Sequence, residues 1–127
     1  MAWMNRDVID VACLCAAWCR VCEEYAPLLE TVIAERLAQG AALRRHWVDI
    51  EDEAELVGDF DVETFPTLVV IGPEGVVRFA GPLMPQADTL RRLLRATVDA
   101  RADAHWPAVA PEIQSFAVRL RARVDGG

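Results

Sequence analysis

The stretch VIDVACLCAAWCRVCEEYAPLLE, residues 8–30, decides how this chain is read. It packs all four cysteines of a 127-residue sequence, Cys13, Cys15, Cys19 and Cys22, into ten positions. Val8 to Cys15 is an almost unbroken apolar run that ends in the small-residue turn AAW, the pattern of a central strand buried on both faces. From Arg20 to Gln39 the residues Val21, Tyr25, Leu28, Leu29, Val32, Ile33 and Leu37 recur at three- and four-residue steps. Gly40 follows, so the segment reads as a helix with its stop. Cys19 then sits at the helix start and Cys22 one turn further on, facing the same way.

Working outward, LRRHWVDI (43–50) reads as a second strand, and DEAELVGDF (52–60) as a short helix opened by acids that suit its positive end. TLVVI and VVRFAG are two apolar runs joined by GPEG, a tight hairpin. QADTLRRLLRATVDA (86–100) supplies another amphipathic helix. The order strand, helix, strand, helix, strand, strand, helix implies an α/β or α+β layout with a mixed sheet between helices. Beyond about residue 101 two patterns compete. Pro111 and Glu112 look like a helix start, with Ile113, Phe116, Ala117, Leu120 and Val124 on one face, yet VRLRARV also alternates as an exposed strand does. The alanines, arginines and leucine favour helix.

A chain of 127 residues fits one domain, large enough to bury a core without disulfides or metal, so the cysteines are free for chemistry. The net charge of -7 disfavours nucleic acid and anionic membranes, both of which need a positive surface, and points to protein or small thiol partners. All 13 basic residues are arginine. The start lacks the basic flank and apolar stretch of a secretory signal, and no run reaches the length of a membrane span. The expected compartment is the cytoplasm, where thiols stay reduced and a cysteine cluster points to catalysis or metal.

Positions three apart on a helix suit the Cα separation of about 4.4 to 6.8 Å that a disulfide needs, so Cys19 and Cys22 can close and open without unfolding anything. The helix start carries unpaired N–H groups and partial positive charge, which favour a thiolate at Cys19. Lowering a thiol pKa from about 8.5 to about 7 raises its ionised fraction at neutral pH from a few per cent to roughly half. Cys19 is then the attacking sulfur, and Cys22, deeper, resolves the mixed disulfide. A CxxC pair also serves zinc sites, and CxCxxxCxxC could hold zinc or an iron–sulfur cluster.

The surroundings narrow the choice. Trp18 directly before the pair, Pro27 inside the helix, Pro66 and Thr67 opening a buried strand, the GPEG hairpin and Gly81 before the next helix together resemble the thioredoxin family over about residues 8–100. The resemblance implies a single thioredoxin-like domain, about 8–100, that lacks the family's opening strand and helix and has an extra C-terminal helix in a segment of about 101–127. It implies catalytic roles for Cys19 and Cys22 as nucleophile and resolving cysteine, and a substrate-binding surface at Trp18, Phe65 and Pro66. Pro66 matches the family's cis-proline, and Phe65 before it lends backbone groups to a bound polypeptide. The implied activity is thiol–disulfide exchange with protein thiols or disulfides and an upstream reductase or oxidant. It needs no cofactor or metal, in a monomer or weak homodimer.

The departures matter as much. Arg-Val stands between the cysteines where the family commonly has Gly-Pro, and Arg20 adds positive charge that tunes the pKa of Cys19. The position of the family's buried aspartate is Cys13, which leaves proton handling at Cys22 to Glu23, Glu24 or water. Cys13 and Cys15 themselves read as small buried hydrophobes, with a secondary disulfide partner or a metal ligand as the alternatives. The C-terminal segment, or a second subunit, is expected to cover the sheet face that the short start leaves bare. Trp3, Trp47 and Trp106 default to packing, and His46 and His105 to structural or solvated roles. A binding or assembly module that uses the Trp18, Phe65 and Pro66 groove without the cysteines is the competing function.

Overall fold

A computed structural model describes residues 8–101 and 103–126. Trp3 and the rest of residues 1–7 lie outside the described residues. The elements are β1 (Ile9–Cys15), α1 (Arg20–Ala38), β2 (Leu43–Asp49), α2 (Ala54–Val57), β3 (Thr67–Ile71), β4 (Val77–Pro82), α3 (Ala87–Thr97) and α4 (Pro111–Gly126). The strands form one mixed sheet in the order β2-β1-β3-β4, with β1 parallel to β2 and antiparallel to β3, and β3 antiparallel to β4. This is the α/β thioredoxin-like layout that the sequence implies, with the additional helix at its C-terminal end. The β3–β4 turn closes through Gly75, whose φ of 90° suits a residue without a side chain.

β1 is central and buried along its whole length, which explains its apolar run. Its side chains alternate between two cores. Ile9, Val11, Cys13 and Cys15 join Cys22, Tyr25, Leu29, Val32 and Ile33 of α1 and Leu90 and Leu94 of α3. Ala12 and Leu14 face the other way, with Val69 and Ile71 of β3 and Phe116, Ala117 and Leu120 of α4. The C-terminal segment is therefore a helix, and it covers the second face of the sheet. Its exposed positions, such as Val118, account for the strand-like alternation in its sequence.

Polar contacts fix α4 in place. Arg121 donates from Nη1 to the Pro73 carbonyl at 3.0 Å and from Nη2 to those of Val8 and Gly72, at 3.1 and 2.6 Å. Gln114 donates to the Gly75 carbonyl at 2.9 Å. Arg119 donates to the carbonyls of Leu56 and Val57 at 2.8 and 3.0 Å, closing the free end of α2. Gly58 takes a φ of 60°, which favours glycine, and a side chain there would point at the Arg119 guanidinium. α2 is a single turn, shorter than the acid-rich stretch suggested, because Gly58 takes a φ of 60° and ends it.

Among the described residues one charged side chain is wholly buried. Asp10, in the apolar run of β1, accepts hydrogen bonds from Arg44 at 2.8 and 3.1 Å, contacts His46 Nε2 at 2.7 Å and pairs with Arg121 of α4. Burial pushes its carboxyl pKa up, but the bonds to His46 and Arg44 and the charges of Arg121 and Arg44 outweigh that and hold it well below the usual range. His46 is thus a structural partner. Of the tryptophans assigned to packing, Trp106 lies under the Arg78 guanidinium at 5.0 Å, while Trp47, on the edge strand β2, is exposed.

Candidate active site

The site forms where the C-terminal end of β1 meets the start of α1. Cys15 is the last residue of β1, and residues 16–18 turn the chain. The Cys19 N–H donates to the Ala16 carbonyl at 3.0 Å, closing that turn. Cys19 is the N-cap of α1, with extended dihedrals, and its carbonyl accepts from the Glu23 N–H at 3.2 Å. Its side chain is partly exposed, whereas Cys22, one turn on, is only 2% exposed. The helix runs unbroken through Pro27 to Ala38.

The sulfurs are connected differently from the expectation of a Cys19–Cys22 pair. Cys22 is disulfide-bonded to Cys15, with Cα atoms 5.9 Å apart, and Cys13 and Cys19 are free thiols. The reason is the direction of Cys22. It points from α1 onto the sheet face where the odd-numbered residues of β1 project, while Cys19 occupies the cap at the rim. Cys22 therefore has two neighbours, Cys19 along the helix and Cys15 across the strand–helix packing. Behind them, Cys13 Sγ lies 3.8 Å from Cys15 Sγ. Of the sequence alternatives for Cys15, disulfide partner is the one formed.

Among the described residues no base stands behind this sulfur cluster. Burial pushes the Cys13 thiol up to about 12, so at neutral pH it is a protonated thiol where the resemblance leads one to look for an acid. The Tyr25 hydroxyl, one turn beyond Cys22, is buried with no hydrogen-bond partner among the described residues, and burial and the neighbouring Cys13 raise its pKa as well. Glu23 and Glu24, the suggested substitutes, are both exposed on the helix surface. Asp10, the buried acid among the described residues, projects from the opposite face of β1. Arg20, beside Cys19 in sequence, is exposed.

Around the cysteines lies an apolar rim. Trp18 is 71% exposed and meets Phe65 edge to face, with ring centroids 5.7 Å apart and planes at 84°. The Phe65–Pro66 peptide is cis. The Pro66 carbonyl accepts from the Leu83 N–H at 3.1 Å, which draws the loop after β4 beside it and brings exposed Met84 to the same end of the sheet. Among the described residues the backbone N–H and C=O of Phe65 make no hydrogen bond. Among the described residues, too, no group of three or more histidine, cysteine, aspartate or glutamate side chains is placed to hold a metal ion. The arrangement thus offers an exposed-side thiol, a buried partner sulfur and a strip of unpaired backbone beside an aromatic pair.

Comparison with known proteins gives this arrangement a family. The family model described as Thioredoxin matches residues 5–95. A thioredoxin of Listeria monocytogenes is 38% identical over 55 residues, a match that covers 43% of this chain and 50% of that protein. The chain thus spans half the length of the curated relatives it matches. In fold it is similar to the thioredoxin of Fasciola hepatica, with a TM-score of 0.62, 22% identity, and 74% and 85% of the two chains covered. It is also similar to the germline-specific thioredoxin Deadhead of Drosophila melanogaster, at a TM-score of 0.59, 17% identity, and coverage of 73% and 84%.

Proposed function

The chain belongs to the thioredoxin family, and on that premise we propose that it is a thiol–disulfide oxidoreductase acting on protein thiols or disulfides. Cys19 is its attacking sulfur. The thiolate of Cys19 displaces one sulfur of a substrate disulfide and forms a mixed disulfide; Cys22 then attacks Cys19 Sγ and releases the reduced substrate, leaving an internal disulfide. The reverse sequence oxidises a dithiol, and the potentials of the partners set the direction. The observation that carries this reading is the placement of Cys19, a free thiol partly exposed at the helix cap, one helical turn from the buried Cys22.

The polypeptide substrate lies along Trp18, Phe65 and Pro66, pairing with the free backbone groups of Phe65 as an added strand. An upstream reductase or oxidant closes the cycle. A cytoplasmic setting, which keeps thiols reduced, and a monomer or weak homodimer fit this chemistry. No helix among the described residues is long and apolar enough to cross a membrane.

The competing reading, a binding module on the same fold, draws on the exposed Trp18–Phe65 pair, which is a docking surface whether or not the cysteines react. Insulin disulfide reduction under dithiothreitol separates the two. The native chain accelerates precipitation, and Cys19→Ser loses the acceleration by about a hundredfold or more. Equal rates would sink the oxidoreductase and leave the binding module.

A further inference from the structure

We propose that Cys15 is a second resolving cysteine, which takes the disulfide inward from Cys19–Cys22 and stores it as Cys15–Cys22, returning Cys19 as a free thiol. The inference rests on the exchange chemistry assigned to Cys19 and Cys22 and extends it to the strand beneath. In the step, the Cys15 sulfur attacks Cys22 Sγ. The Cys19–Cys22 bond breaks, the Cys15–Cys22 bond forms, and the proton of the Cys15 thiol passes to the leaving sulfur, so that Cys19 ends as a free thiol. One disulfide becomes another, and no electrons are gained or lost.

Three features point this way. The end state is the one in the structure, with Cys15 bonded to Cys22 and Cys19 free. Cys22 is one helical turn from Cys19 and bonded across the strand–helix packing to Cys15, so the two candidate partners flank one sulfur. Solvation gives the step its direction. Cys15 is 1% exposed and Cys22 is 2% exposed, so a disulfide between them puts both bonded sulfurs in the apolar core. The thiol left over is then Cys19, which reaches water and can hydrogen-bond to it, whereas in the surface isomer the leftover thiol is the buried Cys15. Cys13, 3.8 Å behind Cys15 and protonated, ends the chain of sulfurs as a weak hydrogen-bond partner of Cys15.

The consequence is a protein with two oxidised isomers. The surface isomer can pass its disulfide to a substrate, while the stored isomer is closed to dithiols but keeps Cys19 available for attack. Oxidation becomes harder to reverse. If the stored isomer predominates tenfold, the chain is tenfold harder to reduce than one without Cys15, or about 30 mV more reducing for this two-electron couple.

The test uses the full chain, oxidised with oxidised glutathione, freed of mixed disulfides by gel filtration after brief back-exchange, quenched in acid, denatured and alkylated. Fragmentation of the tryptic peptide that ends at Arg20 then shows which cysteines carry the label. The expected result is label mainly on Cys13 and Cys19. Label mainly on Cys13 and Cys15, the pattern of a Cys19–Cys22 disulfide, overturns the proposal, and so does a chain with no internal disulfide. Cys15→Ala, titrated against glutathione in parallel, is expected to be about tenfold easier to reduce; a native chain equal to it also overturns the proposal. Insulin reduction by native chain and Cys19→Ser decides separately whether exchange occurs at all. A catalytically active chain labelled on Cys15 keeps the oxidoreductase and loses the relay.

Discussion

The two faces of the sheet are built on different principles. The face under α1 and α3 is lined with soft, uncharged groups, Cys13, Cys15, Cys22 and an unpartnered Tyr25 hydroxyl, and it ends at an exposed rim of Trp18 and Cys19. The face under α4 contains no sulfur among its buried residues and is tied down by arginines that reach the hairpin, α2 and the buried Asp10. One face has alternative bonding partners and no fixed charge. The other has fixed charges with geometrically defined partners. The contrast separates the exchangeable sulfur bonds from the buried ion pairs of Asp10, which project from opposite faces of β1.

If that division holds, substitutions on the α4 face lower stability and leave the rate per folded molecule alone. The largest effect is expected from deleting residues 104–127, which uncovers the sheet where Phe116, Ala117 and Leu120 are buried. Losing burial of a phenylalanine and a leucine alone removes about 3 to 6 kcal/mol, comparable to the whole stability of a small domain. No cooperative thermal transition should remain; an unchanged melting point and mass would mean that α4 is not part of the fold. Phe116→Ala follows, at about 3 to 5 kcal/mol by urea denaturation, with insulin reduction per folded molecule unchanged.

Next comes Asp10→Asn, which leaves Arg44, His46 and Arg121 facing a neutral amide and costs about 3 kcal/mol. The same group predicts an acid limit. Its folded pKa lies below the value of about 3.9 in an unfolded chain, so its contribution is complete above about pH 4 and is lost as pH falls through the folded value. Native and Asp10→Asn stabilities should therefore converge as the pH drops below 4, and parallel curves would contradict the assignment. The smallest effect is expected at the exposed Glu35–Arg91 pair between α1 and α3, although its bonds, at 2.9 and 2.8 Å, are well formed. Glu35→Gln should move the melting point marginally, and not at all in high salt.

Much of this was legible in the sequence, because the signals were local. Strand β1, the start of α1 at Cys19 and the GPEG turn announce themselves through apolar runs, periodicity and turn residues within a few positions of one another. The pairing of Cys22 was not legible in the same way. Spacing along a helix favours Cys19, whereas the bond to Cys15 depends on how α1 lies on β1, a tertiary fact that periodicity does not report. Asp10 is a second case. Its partners come from β2 and from Arg121, 111 residues away, so the sequence shows only an acid interrupting an apolar strand. A charge in such a run, with an arginine in a neighbouring strand, was the available clue. The C-terminal helix was ambiguous because arginines alternate with apolar residues over the same stretch that carries its buried face.

The attack by Cys19 is the claim on which the rest depends, and Cys22→Ser tests it most directly. Without its resolving cysteine, the reduced variant mixed with oxidised glutathione should stop at the mixed disulfide. Intact mass and peptide fragmentation should show one glutathione per chain, on Cys19, with Cys13 and Cys15 unmodified. No adduct, or an adduct on either strand cysteine, would contradict the account.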